Sequence, residues 1–181
     1  MQDRPDSGFT LIELLIVITV IGIIAAIAIP GLLRARIAGN ESSAIASLRV
    51  INSSQHAYMT SCGNGFYASS LTILADPAPV GTGFISPDLG SAAIIDKSGY
   101  RLTMAEGSEA DSAVEDGCNP SGVAADLYSS YYASNAPIAP GQTGIRWFWT
   151  NSAGAIFTSN ADDFATVHIG NGPPGVGALL H

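Results

Sequence analysis

FTLIELLIVITVIGIIAAIAIPGLL, residues 9–33, is the stretch whose reading decides the fold. It exceeds the roughly 20 apolar residues that cross a bilayer as a helix, and Glu13 is the only charge inside it. A helix is therefore predicted, one that needs lipid or protein around it. A cleaved secretory signal has a basic start, a shorter apolar core and a small-x-small site behind that core. Here the preceding residues, MQDRPDSG, hold one Arg, while the apolar run is long and carries a carboxylate, which favours a retained anchor. An ionisable group at mid-bilayer costs about 2.5–3.5 kcal/mol on insertion scales, so Glu13 is a candidate functional residue rather than one that merely snorkels to the interface.

The junction Gly8-Phe9-Thr10-Leu11-Ile12-Glu13, followed by the apolar stretch with Gly22 and Pro30, resembles the type IV prepilin class, which includes type IV pilins and type II secretion pseudopilins. The resemblance implies a membrane peptidase that cuts between Gly8 and Phe9 on the cytoplasmic side and methylates the new Phe9 amine. Glu13 is then the assembly carboxylate, pairing with the Phe9 amine of a neighbouring subunit. The implied partners are identical or related pilin subunits in a homopolymer or mixed filament, the prepilin peptidase, the inner-membrane assembly machinery, and the lipid bilayer before assembly. The implied location is the inner membrane as a single-pass precursor, then an extracytoplasmic filament. Physical chemistry agrees with these roles: glycine lets an extended leader approach an active site closely, and Glu13 sits one turn after the future amine, where the helix dipole favours negative charge. One feature departs from the class, whose leaders are usually basic: Arg4 stands against Asp3 and Asp6, and Arg34 and Arg36 follow the span. Counted by charge alone, the C-terminal side would face the cytoplasm; the junction motif sets the opposite orientation.

Beyond the span, Ile37, Ala44, Ile45, Leu48, Ile51 and Tyr58 recur at three- and four-residue spacing, with Arg49, Asn52, Ser53 and His56 between them. That pattern predicts an amphipathic continuation of the helix to about residue 61, ended by Gly63 and Gly65. Pro30-Gly31 and Gly39 are expected to kink or locally unwind it. The remainder reads as loop with short helical pieces at 70–75 and from Ser86-Pro87. Strands follow at 100–104, 127–133, 145–150 and 155–159, the last two joined by the turn Asn151-Ser152-Ala153-Gly154. The fold class is α+β, a long N-terminal helix packed on a small antiparallel sheet, as pilin heads are. Four segments result: a leader at 1–8, a transmembrane or filament-core helix at 9–33, an amphipathic continuation at 34–62, and a head at 63–181 whose tail from 160 reads as loop.

Composition sets the remaining limits. The chain has 181 residues, 47% hydrophobic and only 12% charged, with a net charge of −8 and no Lys/Arg cluster that would track a phosphate backbone, so general nucleic-acid binding is not expected. Cys62 and Cys118 suit one disulfide if the head is exported, worth about 4 kcal/mol on the loop-entropy model; two buried free thiols are the alternative. A zinc site needs more ligands than these offer. His56, His168 and His181 are scattered and join no nucleophile motif, so no enzyme and no cofactor is expected. Glu115-Asp116 and Asp162-Asp163 lack calcium-loop spacing. Within Trp147-Phe148-Trp149, one strand face is expected in the core and the other exposed at a subunit or ligand contact. The leading function is a structural filament subunit; the alternatives are a secretion pseudopilin, against which the missing Pro-Trp-Gly-type motif speaks, and a membrane-anchored periplasmic binding domain.

Overall fold

The computed structural model describes residues 8–79, 81–107, 110–160 and 178–180. Residues 1–7, His168, His181 and Asp162-Asp163 lie outside them. Helix α1 runs over Leu11–Ser61, helical throughout, including Pro30, Gly31 and Gly39. The chain divides into two compact units, Met1–Arg36 and Ile37–His181. In the first, the described side chains are almost all exposed. In the second, α1 buries Ile37, Ala44, Leu48, Ile51 and Tyr58, the face its spacing predicts, but also Glu41 and Gln55.

The end of α1 follows from its glycines. The Cys62 and Gly63 amides both donate to the Tyr58 carbonyl at 2.8 Å, and the Gly65 amide donates to Met59 O at 3.0 Å. Gly65 has φ 92°, a left-handed conformation that side chains disfavour, and a Cβ on Gly63 would sit 2.2 Å from Phe66 O.

Six strands form one antiparallel sheet: β2 (Ile94–Lys97), β3 (Tyr100–Glu106), β5 (Tyr131–Pro137), β6 (Trp147–Asn151), β7 (Ile156–Ser159) and β8 (Ala178–Leu179), in that order. Strands β1 (Tyr67–Ala68) and β4 (Leu127–Tyr128) make a separate two-stranded ladder. The expected strand at 127–133 is thus two strands in different sheets. β1, β2 and β8 carried no recognisable sequence signal, and β8 lies in the tail read as loop. The β6–β7 turn is as expected: Asn151 O accepts from Gly154 N at 2.8 Å and Asn151 Oδ1 from Ala153 N at 3.1 Å, an Asx-type turn with Gly154 at φ 76°. Short helices α2 (Leu71–Ala75) and α3 (Pro87–Gly90) precede the sheet. Ser70 caps α2 through its hydroxyl, whereas the Ser86 hydroxyl donates to Asp88 and makes no cap bond.

The main core joins Ala44, Leu48, Ile51 and Tyr58 of α1 to Leu102, Ala133 and Phe148 of the sheet. Leu102, Asn135 and Phe148 stand in register across β3, β5 and β6. Asn135 Nδ2 donates to Ala44 O at 2.9 Å, so this buried amide ties sheet to helix. The other sheet face differs from expectation. Trp149 is buried as well, stacked on Phe157 with ring centroids 5.8 Å apart, and Trp147 is half-buried. Both faces of this strand are therefore covered, because an indole paired with a cross-strand Phe has apolar area to bury on its own side.

Candidate functional site

The junction of the first unit is built by its own helix start. Thr10 precedes Leu11, the first helical residue, and its hydroxyl accepts the Glu13 amide at 3.3 Å while donating to Glu13 Oε2 at 2.7 Å. Glu13 Oε2 also accepts the Thr10 amide at 2.9 Å. This is a capping box, satisfying two helix-end N–H groups reciprocally. The T-x-x-E spacing was visible in the sequence, and it gives Thr10 a role that the dipole argument for Glu13 alone missed. Among the described residues nothing donates to Glu13 Oε1.

Thr19, the other polar side chain of the stretch, donates to the Leu15 and Ile16 carbonyls at 3.0 and 2.8 Å. Each polar side chain of residues 9–33 thus makes at least one hydrogen bond within the segment, which lowers its cost in a medium without water, while Glu13 Oε1 stays open. Among the described residues, sixteen of the twenty-two exposed large hydrophobics lie in this stretch, Phe9 at 85% exposure among them. The helix is long and apolar enough to cross a membrane. Gly8 is exposed, with nothing within 4 Å of where a Cβ would stand.

In the second unit, Cys62 and Cys118 are disulfide-bonded across a sequence separation of 56, with Cα atoms 4.7 Å apart. The Cys118 amide donates to Cys62 O at 3.0 Å. Beneath it, Tyr58 donates to Asn119 Oδ1 at 3.0 Å, and Asn119 Nδ2 donates to Ile73 O at 2.7 Å. Burial, helped by the charge of Asp76, pushes the Tyr58 hydroxyl up to about 12, so it stays a donor.

Glu41 makes the other long-range tie, one with no sequence signal because its partner lies 105 residues away. Its side chain is 8% exposed and accepts four hydrogen bonds: Ile145 N at 3.0 Å, Arg146 N at 3.2 Å, Arg146 Nε at 2.9 Å and Nη2 at 2.7 Å. Burial pushes this carboxyl up, but the Ile145 amide and the Arg146 guanidinium together outweigh it and hold it below the usual carboxylate range.

Among the described residues, no three His, Cys, Asp or Glu side chains converge as a metal would require. His56 is exposed on α1. Asp116 is engaged as acceptor of the Ala124 amide at 2.7 Å.

Residues 3–29 match the family described as the prokaryotic N-terminal methylation motif. The chain is 39% identical over 98 residues to the type IV wide pilus major component PilA4 of Thermus thermophilus, covering 51% of this chain and 73% of that protein. It is 42% identical over 55 residues to the type IV major pilin protein PilA of Myxococcus xanthus, covering 30% of this chain and 25% of that one. No solved structure matches. An N-terminal methylation motif on an uncovered apolar helix, and a pilin relative matched over most of its length, place this chain in the type IV pilin-like family.

Proposed function

We propose that this chain is a structural subunit of a type IV pilus-like filament, without chemistry of its own. The observation that carries the reading is the exposed apolar helix whose polar side chains bond within the segment except at Glu13 Oε1, preceded by the Gly8-Phe9 junction. Such a surface is stable in lipid and, after extraction, against other copies of itself. In this reading residues 1–8 are a leader, removed between Gly8 and Phe9 by a prepilin peptidase that then methylates the Phe9 amine. Residues 9–33 anchor the precursor in the inner membrane and afterwards line the filament core. Residues 34–62 carry the helix into the head, and 63–181 complete that head on the extracytoplasmic side. Pro30-Gly31 is the place where the helix yields during transfer between the two environments, since Pro30 has no N–H to give the preceding turn.

Glu13 is the selective element. Oε2 is held by Thr10, leaving Oε1 for the Phe9 amine of a neighbouring copy. Each charge would otherwise be buried alone, which is why the pair forms. Glu13→Gln or Glu13→Ala is expected to leave insertion and Gly8 cleavage intact while filament incorporation fails. Immunoblot for the cleaved form scores the first half, and surface shearing scores the second. Glu13→Ala protein entering filaments normally in cells lacking the native copy would refute the assembly role. A mature N-terminus beyond Pro30, read by mass spectrometry, would refute the pilin reading itself. A secretion pseudopilin shares all this chemistry and differs in where the fibre ends, at the cell surface or in the periplasm.

A further inference from the structure

Within residues 37–181 the cations are Arg49, Lys97, Arg101 and Arg146. Lys97 is paired with Asp88, Arg101 with Asp96 and Arg146 with Glu41. Among the described residues Arg49 has no such partner. It stands exposed on α1 beside a cleft of about 280 Å³, lined otherwise by Gly154, Ala155, Ile156 and Leu180. The walls are fixed: Asn52 Nδ2 donates to Gly154 O at 2.9 Å, joining the β6–β7 turn to α1, and Leu180 N donates to Ile156 O at 2.9 Å. The cleft thus sets a guanidinium beside two apolar side chains.

Val114-Glu115 has the complementary character. Val114 is 92% exposed, and Glu115, exposed as well, takes part in none of the ion pairs among the described residues. The tip that carries them is clamped on both sides. Ala113, buried, donates its amide to Leu127 O at 2.8 Å. Asp116 accepts the Ala124 amide on its carboxylate at 2.7 Å and Asn64 Nδ2 on its carbonyl at 3.0 Å, and Cys118 just beyond is bonded to Cys62. A single exposed Val is ordinary, but one on a tip already held in place, next to an unpaired carboxylate, can dock without the cost of ordering a loop.

The tip cannot reach the cleft of its own head. About 18 Å of helix separates Arg49 from Ser61, and the tip is tied to Asn64, beyond the helix end. We propose that Val114-Glu115 of one copy seats in the Arg49 cleft of a second copy, Val114 against Ile156 and Leu180, and Glu115 on the Arg49 guanidinium. An exposed ion pair alone contributes little, and the apolar contact beside it keeps water from one side of this one. Two different surfaces of identical heads make a heterologous contact, which, repeated without closing, builds an open helical array rather than a dimer. The inference rests on the filament-subunit reading and adds which head surfaces meet.

The test exchanges the charges in cells lacking the native copy, scored as this protein in sheared filaments relative to its cleaved form in the cells. Arg49→Glu and Glu115→Arg are each expected to lower that ratio several-fold, and the double variant to restore most of it. Single variants equal to the parent, or a double variant no better than the worse single one, overturn the proposal. Near-ultraviolet dichroism of the full chains in detergent checks that each head is folded. If a variant's head is not, a second measurement decides, one that leaves both charges in place: a benzophenone amino acid replaces the exposed Val114 in a chain expressed beside the native copy. Irradiated filaments are expected to yield a cross-linked dimer joined at Arg49, at residues 154–156 or at Leu180 of the second chain. A dimer joined elsewhere, or none from filaments that contain the labelled chain, overturns the proposal while the filament reading stands. Absence of the unaltered chain from sheared filaments removes that reading and the proposal with it.

Discussion

Removing the Glu41 carboxylate tests whether the head depends on the tie between the start of its helix segment and the β5–β6 loop. Glu41→Ala deletes an acceptor that takes four hydrogen bonds in an 8% exposed position. Bonds to a charged group are worth about 1.5–3 kcal/mol each, so the gross loss exceeds 6 kcal/mol, but relief of the buried carboxylate's desolvation returns several of these. Breaking a buried pair typically costs about 3–5 kcal/mol. Arg146 is 41% exposed and can be rehydrated, which places the expected loss at the low end, about 3 kcal/mol. Against a domain stability of about 5–15 kcal/mol that is a large fraction. For a head of this size it lowers Tm by about 10 °C.

The assay is near-ultraviolet circular dichroism of the full chain in detergent during heating. The signal arises from Trp147, Trp149 and the packed tyrosines, so it reports the head and not the span. Asp96→Ala, which breaks an exposed pair with Arg101, serves as the control and is expected to leave Tm unchanged. A shift below about 3 °C for Glu41→Ala, or one no larger than the control's, would show that the loop is held by packing alone.

Glu41→Gln keeps the shape and removes the charge. Because the folded-state carboxyl lies below its ordinary value of 4.5, its stabilisation is full above that pH and fades as pH falls through the lower folded value; the variant should flatten this part of the Tm-versus-pH curve and change little of its slope above pH 6. Replacing Cys62 and Cys118 together with Ser should destabilise the head by up to about 4 kcal/mol through the unfolded chain's entropy, while far-ultraviolet dichroism retains the helix of residues 11–36; an unchanged head Tm would refute the staple. Thr10→Val removes the capping hydroxyl and should weaken the first turn by about 1 kcal/mol, seen as faster amide exchange at Leu11 to Glu13 in micelles, with exchange near Ile21 as the unaffected reference.

What the chain's order alone determined was whatever is decided within a few turns of itself. The apolar run of residues 9–33 has no polar alternative to compete with a helix, and the three-to-four spacing from Ile37 to Tyr58 picks its buried face. The Asn151–Gly154 turn is likewise local, since Asn151 and Gly154 supply the hydrogen bonds and the positive φ themselves. Even the capping box was legible in T-x-x-E. Tertiary structure decided the rest, because those elements draw their stability from partners far along the chain. Ile94–Lys97 and Ala178–Leu179 are too short to signal a strand and become strands only where β3 and β7 offer an open edge. Residues 127–133 read as one strand until β1 claims Leu127–Tyr128 and leaves Tyr131–Pro137 to the larger sheet. Gln55 and Glu41 look like solvated helix positions, yet Gln55 bonds both the amide and the carbonyl of Ala68, and Glu41 takes the loop before β6. Burying such a group is unfavourable unless its partners arrive, and where they arrive from is a property of the folded chain.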